Sequence, residues 1–367
     1  MEIFSDIIIL NNGEELATMK REKRLFRSVV MLAVILLAGF AGPGVCAEKV
    51  TTLRIQSIFP HGDLSMDTLA EFAKSVEKRS NGQLKVTVFA DGDIVPGDQG
   101  FVGASQGVLD MVQGAGVTYA GTMPVCDVEF GLPLAYSFPG KDFDTSAALV
   151  RSFFFEKGFI ELLRSEYKKH GLYLLDIHTY GPVPFMVSKK PVKSCDDLKG
   201  MRFRAEGIDL EYHNAVGMQT TTISGLETYM ALKLGTVDGA EWDVSCITGL
   251  KWHEVAPYWI IGAESDHTMG SILINLKKWE ALSPDAKKAL AGAGEDYWKA
   301  TVANYKKELE TVKEMVKKGE VKESRLDDAC RAQYTAAAQK LWDKVAARDE
   351  ACAKAVKLLR EWRATVK

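Results

Sequence analysis

The chain has 367 residues, 47% of them hydrophobic and 26% charged, and a formal net charge of −3 at pH 7. This is ordinary globular composition, long enough for two domains. The slight acidic excess argues against a nucleic-acid partner, which would favour a basic stripe.

The N-terminus reads as a targeting segment. Lys20, Arg21, Lys23, Arg24 and Arg27 form a basic region, and Val29 to Phe40 is an apolar core too short to span a bilayer comfortably. Val45-Cys46-Ala47 resembles a small-residue cleavage site, so export with cleavage after Ala47 is expected and residues 1–47 form the signal peptide. Cys46 would suit a lipid anchor, but Pro43-Gly44-Val45 before it lacks the usual leucine. The acidic Asp6, Glu14 and Glu15 precede the basic run, which suits Met19 as the true start. No later stretch approaches about 18 apolar residues, so the mature chain is expected to be soluble.

Val50 to Phe59 alternates and predicts a first strand. Asp67 to Ser80 predicts a helix closed by Asn81-Gly82, and Leu84 to Phe89 a second strand. After a loop rich in Gly and Asp, Phe101 to Gln106 predicts a helix ending at Gly107, and Leu109 to Val112 a strand. Tyr173 to Ile177, Pro184 to Val187, Met201 to Arg204 and Ser271 to Asn275 predict further strands. Strands alternating with helices argue for an α/β architecture. Ser224-Gly225-Leu226-Glu227 has the form of a capping box, and the helix behind it stops at Gly235. From Ser283-Pro284 onward the pattern is of long amphipathic helices. There is also a faint internal echo. Ala104, Gly107 and Asp110 have nearly the spacing of Ala231, Gly235 and Asp238, which fits two related lobes and fits chance equally.

Six cysteines are present, one of them in the signal segment. The remaining Cys126, Cys195, Cys246, Cys330 and Cys352 are an odd number, so an oxidising compartment leaves at least one thiol free. Burial as small hydrophobes suits most of them. A Cys330–Cys352 bridge would need the C-terminal helices to fold back as a hairpin.

The run from Leu198-Lys199-Gly200 to Arg204, followed by Glu227-Thr228-Tyr229-Met230-Ala231-Leu232, Gly235 and Val237-Asp238-Gly239, resembles the DctP family. These are the extracytoplasmic solute-binding proteins of tripartite ATP-independent periplasmic (TRAP) transporters. The resemblance covers almost the whole chain after residue 50. It implies a two-lobed α/β periplasmic binding fold with a hinge and a long lobe-spanning helix. Lobe I would take residues 48–178 and lobe II 179–267. Residues 268–305 would return to lobe I and span both lobes, and the helices of 306–367 would lie on lobe II. It also implies a periplasmic receptor that passes a small organic anion to membrane subunits it does not contain.

The resemblance makes Arg204 a clamp for the solute carboxylate, since a guanidinium fork matches a carboxylate with two parallel hydrogen bonds. Ala240-Glu241-Trp242 resembles a branch that binds 2-oxo or 2-hydroxy monocarboxylates, where a metal ion can bridge ligand and protein. Glu241 with Glu264 or Asp266 would then hold Na⁺ or Ca²⁺ through hard oxygens, and Trp242 would wall the site. The equivalent of a second family arginine is missing from Gly181-Pro182-Val183-Pro184-Phe185, which favours a small or partly apolar monoanion, and Tyr180 offers a hydroxyl instead. Phe59 and His61 after the first strand, and Gln113, Thr118 and Tyr119 after the third, lie where strand ends line a crevice. Asp110 reads as a turn residue.

An enzyme and a sensor are the competing readings. Gly103-Ala104-Ser105-Gln106-Gly107 matches the Gly-x-Ser-x-Gly of serine hydrolases, but Ser105 sits at the end of a predicted helix rather than on a strand-to-helix turn. A ligand sensor would have the same fold as a transport receptor.

Overall fold

The structure, a computed structural model, describes residues 50–366. The signal peptide, its cleavage site and the Met19 start lie outside the described residues.

Two mixed sheets form the two lobes. The first has the order β2-β1-β3-β10-β4, from Thr51–Ser57 (β1), Leu84–Phe89 (β2), Met111–Ala115 (β3), Leu172–Tyr180 (β4) and Thr268–Asn275 (β10). β1 pairs in parallel with β2 and β3, while β10 runs antiparallel to β3 and β4. The second sheet is β11-β9-β5-β8-β6-β7. Its strands are Phe185–Ser188 (β5), Arg202–Arg204 (β6), Gln219–Thr221 (β7), Gly239–Trp242 (β8), Tyr258–Ile261 (β9) and Lys322–Arg325 (β11). β4 therefore extends lobe I to Tyr180, two residues beyond the expected boundary. The chain then crosses to lobe II over residues 181–184, which hold two cis X-Pro bonds.

Helices cover the sheets. In lobe I they are Leu64–Arg79 (α1), Gly100–Gln106 (α2), Cys126–Phe130 (α3), Phe143–Glu156 (α4) and Phe159–Lys169 (α5). Lobe II carries Cys195–Leu198 (α6), Ile208–Asn214 (α7), Gly225–Leu234 (α8) and Ser245–Thr248 (α9). After Leu276–Ala281 (α10) comes Pro284–Lys318 (α11), with 35 residues, about 52 Å long at 1.5 Å per residue. Ser283 caps α11 by accepting from the Ala286 amide, Pro284 opens it, and Gly319 closes it at φ 80°. Tyr297 of α11 donates to the Ser65 carbonyl in lobe I at 2.7 Å, and Tyr305 donates to Asp243 in lobe II at 2.7 Å. One rigid rod thus touches both lobes. No helix of the described residues is long and apolar enough to cross a membrane.

The internal echo has a structural counterpart. Gly107 and Gly235 both end their helices in the left-handed region, at φ 82° and 77°. Asp110 then accepts from the backbone amide and Nε of Arg54 on β1, and Asp238 does the same for Arg202 on β6. Each lobe uses one aspartate to tie a strand to the loop behind a helix.

Two expectations fail, and one pairing weighed for the cysteines does not form. Ser224 is the N-cap of α8, but its side chain accepts from no backbone amide. Its hydroxyl instead donates to the Glu227 carboxylate at 3.1 Å. The last helices, Asp328–Ala346 (α12) and Glu350–Thr365 (α13), do not both lie on lobe II. Tyr334 of α12 meets α7, but Trp362 of α13 packs against Tyr136, Phe138 and Phe153 of lobe I. Finally, the disulfide joins Cys195 to Cys330, not Cys330 to Cys352. Cys330 lies at one end of α12 and Cys352 just beyond the other, about 24 Å of helix apart. Cys126, Cys246 and Cys352 are free and buried.

Peptide mapping under non-reducing conditions should recover Cys195 linked to Cys330 and three alkylatable thiols after denaturation. Replacing both bridged cysteines by serine should cost about 2–5 kcal/mol of stability in denaturant titrations. A recovered Cys330–Cys352 peptide would contradict this arrangement.

Candidate functional site

Strand ends of both sheets converge on one cleft, as they do in open α/β sheets. Lobe I contributes Phe59 beyond β1, Ala115 at the end of β3 with Val117 and Thr118 behind it, Phe130, Tyr180 and Val183. Lobe II contributes Arg204 at the end of β6, Glu206, Asp209 on α7, and the run Glu241-Trp242-Asp243 at the end of β8. The cavity leaves about 60 Å³ for the centres of water-sized atoms. At roughly 10–15 Å³ per such centre, this is room for about four to six non-hydrogen atoms.

Arg204 is 3% exposed. Burying a guanidinium is costly unless its charge is answered. Here its Nε donates to the Ile223 carbonyl at 2.9 Å, Nη1 to the Glu241 carbonyl at 3.0 Å, and Nη2 to the Glu206 carboxylate at 2.6 Å. The Trp242 ring lies 4.7 Å below its carbon, within cation–π range. A guanidinium has five N–H donors. Three are used among the described residues, which leaves one on each of Nη1 and Nη2.

Glu241 is held just as firmly. One carboxylate oxygen meets His213 Nε2 at 2.6 Å, and the other accepts from the Glu206 amide at 3.0 Å. Burial pushes the Glu241 carboxyl up to about 8, against the pull of Arg204, and pushes the His213 imidazole down to about 4. Both favour a neutral pair. His213 in turn meets the Tyr334 hydroxyl on α12 at 3.1 Å.

The lobes meet around this cavity. Trp242 Nε1 donates to Asp63, the N-cap of α1, at 2.8 Å. Phe59 stands edge-on to both Tyr180 and Trp242, at 5.2 and 5.9 Å between centroids. Asp63 and Asp243 are both buried near the junction. Burial, then the charge of Asp63, pushes Asp243 up to about 8. Two glycines make the approach close. A Cβ on Gly249 would lie 1.8 Å from the Gly62 carbonyl oxygen, and one on Gly207 would lie 1.7 Å from Val117 Cγ2.

Of the residues expected here, Arg204, Glu241, Trp242, Tyr180, Phe59 and Thr118 are brought together. Gln113 is not. It lies two residues, about 6.6 Å of strand, behind Ala115, where it meets Ser57 at 2.5 Å and His178 at 2.9 Å. Tyr119 turns into lobe I, stacking on Phe101 and meeting Ser271 at 3.1 Å. His61 is exposed. Glu264 and Asp266 do not join Glu241. Glu264 accepts from the Gly262 and Ala263 amides of its own turn, and Asp266 from the Phe138 amide. Both line a separate groove with Lys306 and Arg325. The expected cation set is therefore not assembled, and the one member at the cavity has both oxygens engaged. No group of three or more His, Cys, Asp or Glu residues arranged for a metal occurs among the described residues. Ser105 donates to the His170 carbonyl at 2.6 Å from within α2, and no base activates it.

Sequence reasoning missed Asp63, Glu206, Asp209, His213 and Asp243. The signal for Asp63 was its place as a helix cap before Leu64-Ser65-Met66. For Glu206, Asp209 and Asp243 it was their position within a few residues of the strand-end residues Arg204 and Trp242.

A family model for bacterial extracellular solute-binding proteins, family 7 (DctP), matches residues 55–349. A monocarboxylate 2-oxoacid-binding periplasmic protein of Nostoc sp. is 26% identical over 217 residues. That match covers 57% of this chain and 56% of the relative, little more than half of either. A TRAP transporter solute-binding protein of Bordetella bronchiseptica, solved with calcium and picolinate, superposes with a TM-score of 0.77 at 23% identity, covering 86% of this chain and 93% of that one. One from Pseudoalteromonas atlantica with bound sodium and pyruvate gives 0.78 at 21% identity, covering 87% and 95%.

The raised carboxyls set a pH dependence. A carboxyl whose folded pKa exceeds its unfolded value binds more protons when folded, so stability falls as pH rises between the two values. Glu241 and Asp243, both at about 8, have this sign. The histidines pushed down by burial oppose it, but only below their ordinary 6.5. The free energy of unfolding should therefore fall between pH 6.5 and 8 in urea titrations. Glu241→Gln should flatten that fall by about 1.4 kcal/mol per pH unit. A stability that is constant or rising over this window would contradict the buried neutral carboxyls.

Proposed function

Because the chain belongs to the DctP family of bacterial extracellular solute-binding proteins, periplasmic receptors rather than enzymes that serve TRAP transporters, we propose that it captures a small organic acid with Arg204 as the carboxylate anchor. The observation that carries this is the state of Arg204: buried at a cavity, fixed on three sides, and with one N–H on each terminal nitrogen still to be filled. A carboxylate accepts two parallel hydrogen bonds from such a fork. Glu206, one-third exposed, shares Nη2 with the solute. The small cavity and its apolar Phe59, Phe130 and Val183 favour a short monocarboxylate of the 2-oxo or 2-hydroxy size. Closure of the lobes completes the site, since Phe59 and Trp242 come from opposite sides.

Arg204→Ala should leave a folded protein that has lost binding. Removing one partner of a buried charge pair typically costs about 3–5 kcal/mol, roughly two to four decades of affinity. Arg204→Lys should also lose most of it, because a point charge does not reproduce the fork. Calorimetry with pyruvate, lactate and related acids reads both, and affinities within about threefold of wild type would sink the assignment.

Closure can be tested apart from the anchor. Gly249 has φ −80°, which alanine tolerates, so Gly249→Ala acts only as a wedge against Gly62. It should weaken binding by tenfold or more and keep the radius of gyration in solution scattering at its ligand-free value. A normal ligand-induced contraction would contradict closure around this glycine pair.

A further inference from the structure

Asp209 stands apart from the other carboxylates of the cavity. It is 4% exposed, lines the cavity, and its carboxylate accepts no hydrogen bond from any described residue. Its neighbours are all answered: Glu206 by Arg204, Glu241 by His213 and the Glu206 amide, Asp243 by Tyr305 and the Ser245 amide. A buried carboxyl group without a partner is costly, and burial pushes Asp209 well above the usual carboxylate range. Its backbone is fixed at the start of α7 by a bond from its amide to the Glu206 carbonyl at 3.1 Å.

Four carboxyl groups, Glu206, Asp209, Glu241 and Asp243, face the cavity together with the guanidinium of Arg204, and burial pushes Asp209, Glu241 and Asp243 toward their neutral forms. A solute that brought only a carboxylate would answer Arg204 and still leave Asp209 without a partner. A solute that brought an ammonium as well would add no net charge and supply the donor that Asp209 lacks.

Resting on the reading of Arg204 as anchor, we infer that the solute is a small zwitterion whose carboxylate lies on Arg204 and whose protonated amine is received by Asp209. Asp209 is then the residue that selects an amino acid over an oxo or hydroxy acid of the same size. A site built to pair a polar group discriminates strongly against analogues that lack it, because its own buried group is left unpaired.

The test uses the mature chain in chelated, sodium-free buffer, with alanine, lactate and pyruvate as matched probes and glycine and longer ω-amino acids to extend the amine series. An amino acid should bind at least tenfold tighter than lactate or pyruvate. Asp209→Asn should lower its affinity by tenfold or more and leave lactate and pyruvate within about threefold. The ligand-free Asp209→Asn protein should melt no lower than wild type, because the change removes an unpaired buried carboxylate; a structural role would lower it. Tighter binding of pyruvate or lactate, unchanged by Asp209→Asn but lost in Arg204→Ala, would overturn the amine assignment and leave the anchor standing. Restoration of tight pyruvate binding by added Na⁺ or Ca²⁺ alone, exceeding that of every amino acid, would also overturn it in favour of a cation. Binding of neither class, or binding indifferent to Arg204→Ala, would overturn both readings.

Discussion

The site depends on keeping one guanidinium out of water. Arg204 emerges at the end of a three-residue strand, and everything around it answers its charge. The Ile223 and Glu241 carbonyls take two donors, Glu206 takes a third, and the Trp242 ring covers a face. These partners come from three separate segments, so the guanidinium fixes how β6 and β8 and the loop before α8 sit together. The carbonyl partners matter as much as the carboxylate. They orient the fork without neutralising it, which leaves the positive charge available to a solute.

That fixed charge lies on one lobe, while the lid over it is shared. Trp242 covers Arg204 and also donates to Asp63 at the head of α1. Tyr305 on the spanning helix donates to Asp243, the next residue. The junction therefore links anchor, wall and rod through three consecutive residues, Glu241-Trp242-Asp243. Burial pushes both carboxyls at the lobe contact, Asp63 and Asp243, above the usual carboxylate range, which favours their protonated forms.

The parts of the site legible in the sequence were those tied to strand ends by a motif. Arg204, Glu241 and Trp242 were implied by the resemblance to the DctP family, with alternation and a helix-stopping glycine placing them at strand ends; Tyr180 came from the missing family arginine, and Phe59 from lying just past a strand. Gln113 and Tyr119 failed because β3 runs on to Ala115, a shift of three residues from the predicted end that moves every side chain relative to the cleft. Glu206, Asp209 and Asp243 were illegible because an acidic residue after a strand looks like any turn or first-turn residue until its burial is known. The same holds for the Cys195–Cys330 bridge, which joins positions 135 residues apart and depends on how α12 docks against lobe II. In lobe I, α4 and α5 were not read at all, and the docking of α13 across them shares their aromatic core. Both lobes repeat the aspartate that ties a strand to the loop behind a helix, and there a weak sequence echo did carry real structure.

The most direct test of the account is a crystal structure of the protein with a bound small organic acid. The expected result has the solute carboxylate about 2.7–2.9 Å from Nη1 and Nη2 of Arg204, with the Ile223 and Glu241 carbonyl contacts kept and Glu206 displaced or sharing Nη2. A solute held elsewhere in the cleft, with the 2.6 Å Arg204–Glu206 pair intact, would contradict it.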